Sequence, residues 1–153
     1  MKVALDSTHG TGGYKFQLTT VMVIDEHGEG YPAAFCFSNR VEEQAMVKFL
    51  DVVRETVGQP LEHVILMTDD AEAYSNAWNQ VMGTPAHRLL CVWHVDRAWR
   101  KNLPKIKDGL TKAHVYKTVR TLMEMTNVDD FHEKLQSFVD HVTSDTKTAI
   151  FGE

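Results

Sequence analysis

Two aspartates each close a short apolar run, Asp6 after Met1-Lys2-Val3-Ala4-Leu5 and Asp69 after His63-Val64-Ile65-Leu66-Met67-Thr68. Sheets of the α/β class gather ligands and metals in the crevice beyond the carboxyl ends of their strands. Two strands that each deliver a carboxylate there would bring the acids together. Converging carboxylates repel unless a cation or a shared proton relieves them, so the pair predicts a hard-metal site or a perturbed titration. Asp70 competes with Asp69 for the role, but side chains alternate along a strand and the two cannot both face one site if the strand continues through them. Each acid also has a plain structural reading, Asp6 closing a turn with Ser7 and Thr8, and Asp69 capping the helix that follows.

The elements that must position these acids are readable from pattern. Ser7-Thr8-His9-Gly10-Thr11-Gly12-Gly13 reads as a hairpin connection, residues 14–25 as a β-branched and aromatic strand, and 26–30 as a turn before a third strand over 31–38. From Val41 to Val57 the apolar period becomes helical, and Gly58 marks the stop. The Asp69 strand follows, then a helix over 71–82 that ends before Gly83 and Pro85, then a short apolar run over 87–93 expected as a last buried strand. Helical segments are expected over 94–103, 110–126 and 129–143, with Asp129 or Asp130 as the N-cap of the last. Three antiparallel strands and two crossover units predict a mixed five-stranded sheet in which the first and fourth strands are neighbours. That adjacency is what would join Asp6 to Asp69. Tyr14, Phe16, Phe35, Phe37, Phe49, Phe131 and Phe138 read as core, as do the methionines.

Composition narrows the function classes. The 153-residue chain carries a net charge of −5, which argues against a protein that coats nucleic acid with its whole surface. An enzyme on nucleic acid needs cations only along the substrate path, and Arg97, Arg100, Lys101, Lys105 and Lys107 do cluster. Two distant cysteines, Cys36 and Cys91, do not form a disulfide scaffold, and the N-terminus has no signal-peptide pattern, so an intracellular, reducing compartment is expected. No apolar stretch approaches the roughly 20 residues of a membrane span.

Asp6-Ser7-Thr8, the Thr68-Asp69 strand end with Ala71-Glu72-Ala73-Tyr74-Ser75-Asn76-Ala77-Trp78, and Leu90-Cys91-Val92-Trp93-His94-Val95 occur in order and on the expected elements. Together they resemble the catalytic core of Mutator-like (MULE) transposases, a family with a ribonuclease H-like fold and a DDE-type acidic triad. The likeness runs through about Asn102. It implies an α/β ribonuclease H-like core over 1–103, followed by a helical segment over 104–153 that begins an insertion or a truncated C-terminal part. Asp6 matches the first catalytic acid, Asp69 the second, and Cys91 with His94 the Cys-x-x-His signature. The third acid of the family is a Glu beyond that signature. Glu124 and Glu133 are the helical carboxylates present, neither in a copy of the motif, so the chain is expected to end before that acid.

The implied activity is cleavage and transfer of DNA strands dependent on Mg²⁺ or Mn²⁺. Two such ions about 4 Å apart activate the attacking oxygen and stabilise the leaving one, with Asp6 bridging them and Asp69 holding one. His94 is expected near the acids, orienting a substrate phosphate or a metal-bound water, and His9 is a lesser candidate. Zinc at Cys91 and His94 would need more ligands than one Cys-x-x-His half, which Cys36 and another His could in principle complete; the plainer reading is a buried Cys91 ending a core strand. Arg97, Arg100 and Lys101 are candidate DNA-phosphate contacts, with Trp93 and Trp99 either stacking on DNA or packing as core. DNA is the expected partner, a homodimer is one assembly compatible with it, no organic cofactor is implied, and the nucleus is the expected location. The competing function is a transposase-derived domain without catalysis that serves as a DNA-binding or protein-interaction platform, and a weaker one is a ribonuclease H-like nuclease outside transposition.

Overall fold

The computed structural model describes residues 1–8, 16–39 and 42–144. His9, Tyr14 and the glycines of the expected hairpin connection lie outside them. Five strands form one sheet: β1 (Lys2–Thr8), β2 (Gln17–Ile24), β3 (Gly30–Ser38), β4 (Ile65–Thr68) and β5 (His87–Leu90), in the order β3-β2-β1-β4-β5. The β1–β2 and β2–β3 pairs are antiparallel, and the β1–β4 and β4–β5 pairs are parallel. The expected adjacency of the first and fourth strands is therefore present. Helices α1 (Glu43–Val57) and α2 (Glu72–Met82) supply the crossovers between β3, β4 and β5.

Alternation along the strands divides the sheet into two faces. Val3 and Leu5 of β1, Val21 of β2 and Leu66 of β4 point to one face and pack there with Met46 and Leu50 of α1 and Trp78 of α2, which is 0% exposed. This is the core of the first compact unit, Met1–Cys91. Helix α1 stops where sequence placed its end: Gly58 adopts φ 81°, in the left-handed region that favours glycine, and its N–H returns to Arg54 O at 2.8 Å.

The second unit begins at Val92. It holds α3 (Val92–Asn102), a 3-10 turn at Leu103–Lys105, α4 (Gly109–Glu124) and α5 (Val128–Ser144). Ile106, Val115 and Val142 are its buried nucleus, with Leu103 and Phe138 against them. Asp108 caps α4 by accepting the Thr111 N–H at 2.7 Å. The compact units divide ahead of position 103, so α3 belongs with the helices after it.

Several expectations need correction. Strand β1 does not end at Asp6 but runs to Thr8, because β2 continues to pair with it through Asp6↔Thr20 and Thr8↔Leu18. The run 87–93 is not one buried strand. Strand β5 stops at Leu90, all four of its residues are exposed, and Val92 and Trp93 are helical. As the last strand of the sheet it has a neighbour on one side only. Phe35 and Phe37 are 57% and 70% exposed, and Phe16 is also exposed rather than core. On edge strand β3 it is Ala34, paired with Val21, that faces the packed side, while Phe35 and Phe37 pair with Thr20 and Leu18 on the opposite face. Phe49 and Phe138 do pack against the cores. Finally, α5 is capped by Asn127, whose Oδ1 accepts the N–H groups of Asp129 and Asp130, so those two acids occupy the first turn.

Candidate functional site

The β1–β4 register directs Asp6 and Asp69 toward the same end of the sheet. The β1–β4 ladder pairs Lys2↔Ile65, Val3↔Leu66 and Ala4↔Met67. Continued two steps, that register would set position 6 opposite position 69. The ladder ends before that because β4 stops at Thr68 and the chain turns into α2, whereas β1 is carried onward by β2. Asp6 thus lies on an extended strand, and Asp69 on the turn beside it.

Each carboxylate is held by backbone. Asp6 Oδ1 accepts the Ser7 N–H at 2.8 Å, and the residue is exposed. Asp69 Oδ1 accepts the Ala71 N–H at 2.9 Å and is half-buried. Asp69 therefore organises the β4–α2 turn, as its plain reading expected, although Ala71 rather than Asp69 occupies the N-cap position. A carboxylate has about four lone-pair directions, so this backbone bond leaves capacity for other ligands. Asp6 also borders a cavity of ≈ 210 Å³ on the sheet face opposite α1 and α2, with Ala4, Met22, Met67 and Cys91 among its walls.

Beneath the acids, on the packed face, is a chain of hydroxyls that sequence reasoning missed. Tyr74 Oη donates to Ser7 Oγ at 2.5 Å, and Ser7 Oγ shares a hydrogen bond of 2.5 Å with Thr19 Oγ1. Tyr74 is 1% exposed. Its phenol is pushed above the ordinary tyrosine value first by burial; the Ser7 and Thr19 hydroxyls pull it down, while the charges of Asp69 and Asp6 push it up. Tyr74 sits inside the 71–78 motif and Ser7 directly follows Asp6, but no spacing rule links positions 67 residues apart.

The remaining candidates lie on other elements. His94 is in the first turn of α3, half-buried, with its ring edge-on to Trp93 at 4.7 Å. It belongs to the second unit, whereas both acids belong to the first. Cys91 is half-buried just past β5, and its N–H donates to Thr68 O at 2.8 Å. Cys36 cannot complete a zinc site with it, since β3 and β5 are the opposite edges of the sheet, four strand spacings or roughly 19 Å apart. Among the described residues, no group of three or more His, Cys, Asp or Glu is placed to hold a metal ion.

Of the cations on α3, Arg97 and Lys101 are exposed, and the Arg97 guanidinium lies 5.1 Å from the centre of the Trp93 ring. Trp93 is 58% exposed, so it is surface rather than core. Arg100 is committed locally: its Nε meets Asp96 Oδ2 at 2.8 Å and Tyr116 Oη at 3.0 Å. Glu124, one of the two helical carboxylates considered for the third acid, pairs with Arg120 at 3.2 Å.

A family model described as MULE transposase domain matches residues 2–98, well over half of the chain. No curated protein matches significantly. No helix among the described residues is long and apolar enough to cross a membrane.

Proposed function

The chain belongs to the MULE transposase domain family, and from that premise we propose that it is the ribonuclease H-like part of a transposase acting on DNA in the nucleus, with Asp6 and Asp69 as its first two catalytic acids. The observation that carries the reading is that Asp6, on β1, and Asp69, on the turn directly after the adjacent parallel strand β4, lie toward the same end of the sheet. Transposase-type function then becomes divalent-metal-dependent strand cleavage and transfer.

The donor set fits the metal the family uses. Mg²⁺ and Mn²⁺ take oxygen ligands, and Mg²⁺ is commonly held by one or two carboxylates while keeping several waters. Asp6 and Asp69 would hold it, and once bound it supplies charge neutralisation at the phosphate and a more acidic water. The chain's own residues set the stage: Ser7 and Ala71 orient the carboxylates through their N–H groups, and Tyr74 ties the Ser7 end of β1 to α2. His94 is assigned to orienting a phosphate. Arg97 and Lys101 are assigned to the DNA backbone, with Trp93 and Arg97 offering a stacked aromatic–cation surface. Arg100 has a lesser share, its charge being partly answered by Asp96.

The test is Mn²⁺-dependent nicking of labelled transposon-end DNA by the full-length protein, beside Asp6→Asn and Asp69→Asn. Loss of nicking in both variants at unchanged DNA affinity is expected. Nicking that survives both substitutions overturns the assignment.

A further inference from the structure

Helices α4 and α5 of the second unit frame an open surface cleft. A cavity of ≈ 480 Å³ lies between them, lined by His114 and Lys117 of α4 and by Lys134, Ser137, Phe138 and His141 of α5. Thr118 and Thr121 also border it, but their hydroxyls already donate to the carbonyls of His114 and Lys117 within α4. No acidic side chain lines the cavity.

Its charge is unanswered among the described residues. Neither Lys117 nor Lys134 has an ion-pair partner among the described residues, whereas Arg54, Arg100 and Arg120 are all paired with carboxylates. The acids nearest along these helices are Glu124, Asp130, Glu133 and Asp140. Glu124 is bound by Arg120, Asp140 accepts from Gln136, and none of the four is within ion-pair distance of either lysine. In a chain of net charge −5, two lysines from different helices thus line one cleft without a carboxylate partner among the described residues. The two imidazoles add further donors, their ring centres 6.0 Å apart. A zinc or copper ion would need more than these two histidines, and no third metal ligand joins them among the described residues.

We propose that the α4–α5 cleft is a phosphate-binding site whose ligand is a backbone phosphodiester of DNA, held by Lys117 and Lys134 with Ser137 and the two histidines as hydrogen-bond donors. The ammonium groups meet the phosphate as point charges, and Ser137 with the imidazoles orients it. Phe138, half-buried on the nucleus of this unit, forms an apolar floor beside which a sugar can rest. The choice of a polymer over free phosphate rests on the reading of the chain as a DNA-handling domain.

The experiment measures duplex DNA binding by the full-length protein as a function of salt, for wild type, K117Q/K134Q and the charge-keeping K117R/K134R. Removing two phosphate contacts is expected to weaken binding about tenfold and to flatten the slope of log K against log salt by about 1.8. The arginine variant should restore both. In parallel, the ring protons of His114 and His141 are followed by NMR during titration with DNA and with inorganic phosphate. Shifts with DNA at concentrations where inorganic phosphate is silent support the assignment. Affinity and slope unchanged in a folded K117Q/K134Q protein overturn it, as do shifts that inorganic phosphate produces and DNA does not displace. Nicking dependent on Asp6 that persists beside an unaltered K117Q/K134Q binding curve would sink the cleft alone and leave the proposed function standing.

Discussion

Replacing Tyr74 by Phe removes one oxygen from a residue that is 1% exposed and leaves its ring in place. The lost interaction is the Tyr74 Oη to Ser7 Oγ hydrogen bond of 2.5 Å. Ser7 and Thr19 keep each other as partners at 2.5 Å, so the substitution orphans no buried group. The cost is therefore that of a net hydrogen bond, about 1 kcal/mol, and not the larger penalty of an unsatisfied donor. For a chain of this size that lowers Tm by about 2–4 °C. Tyr74→Ala also empties the ring's volume and should cost about 3–5 kcal/mol, as large aromatic truncations do. Urea unfolding measures both, with an unchanged m-value expected for Tyr74→Phe. The same residue reports on the acids. Its phenol titrates above the ordinary value, so its contribution to stability is fully present below about pH 10 and is lost as pH rises through the folded value. Ultraviolet titration against Tyr74→Phe isolates its signal from the other tyrosines. Asp69→Asn should lower the Tyr74 pKa, and Asp6→Asn should lower it by less, because each removes a negative charge that disfavours phenolate. If Tyr74→Phe is as stable as wild type, the hydroxyl chain holds nothing. If neither Asn substitution moves the titration, the two acids do not converge.

Leu50→Ala, at a buried position of α1 against β1 and α2, should cost about 2–5 kcal/mol in urea unfolding. Gly58→Ala should cost about 1–2 kcal/mol by the same measurement, since φ 81° strains any residue with a Cβ although the space around it is open. The Asp96 carboxyl is held below the usual range, first by the Tyr116 hydroxyl and then by Arg100 and Arg120. Its contribution is therefore present above the ordinary carboxylate value and lost as pH falls through the folded one, so Asp96→Asn should flatten the acid limb of stability measured from about pH 6 down to about pH 2.

Much of the fold was legible because its signals are local. The helical period of α1, the Gly58 stop and the alternation of β2 each need only neighbouring residues, and the strand and helix order leaves few sheet topologies. The adjacency of β1 and β4 was legible for the same reason, since the element order leaves few places for β4. Burial on edge strands was not legible. Phe35, Phe37, Leu89 and Leu90 look like core in a window of sequence, and only the position of β3 and β5 at the two edges leaves them exposed. Trp93 has the same history, an aromatic that pattern reasoning places inside and a helix start places outside.

Sequence by itself determined the α/β class, the element order and the family likeness, all carried by residue type and short spacing. Tertiary structure alone decided that Tyr74, Ser7 and Thr19 share one hydroxyl chain, and that Lys117 and Lys134 face a common cleft. Such groupings join residues far apart in the chain, and their partners are selected by how helices and strands pack, a long-range property that no local pattern encodes.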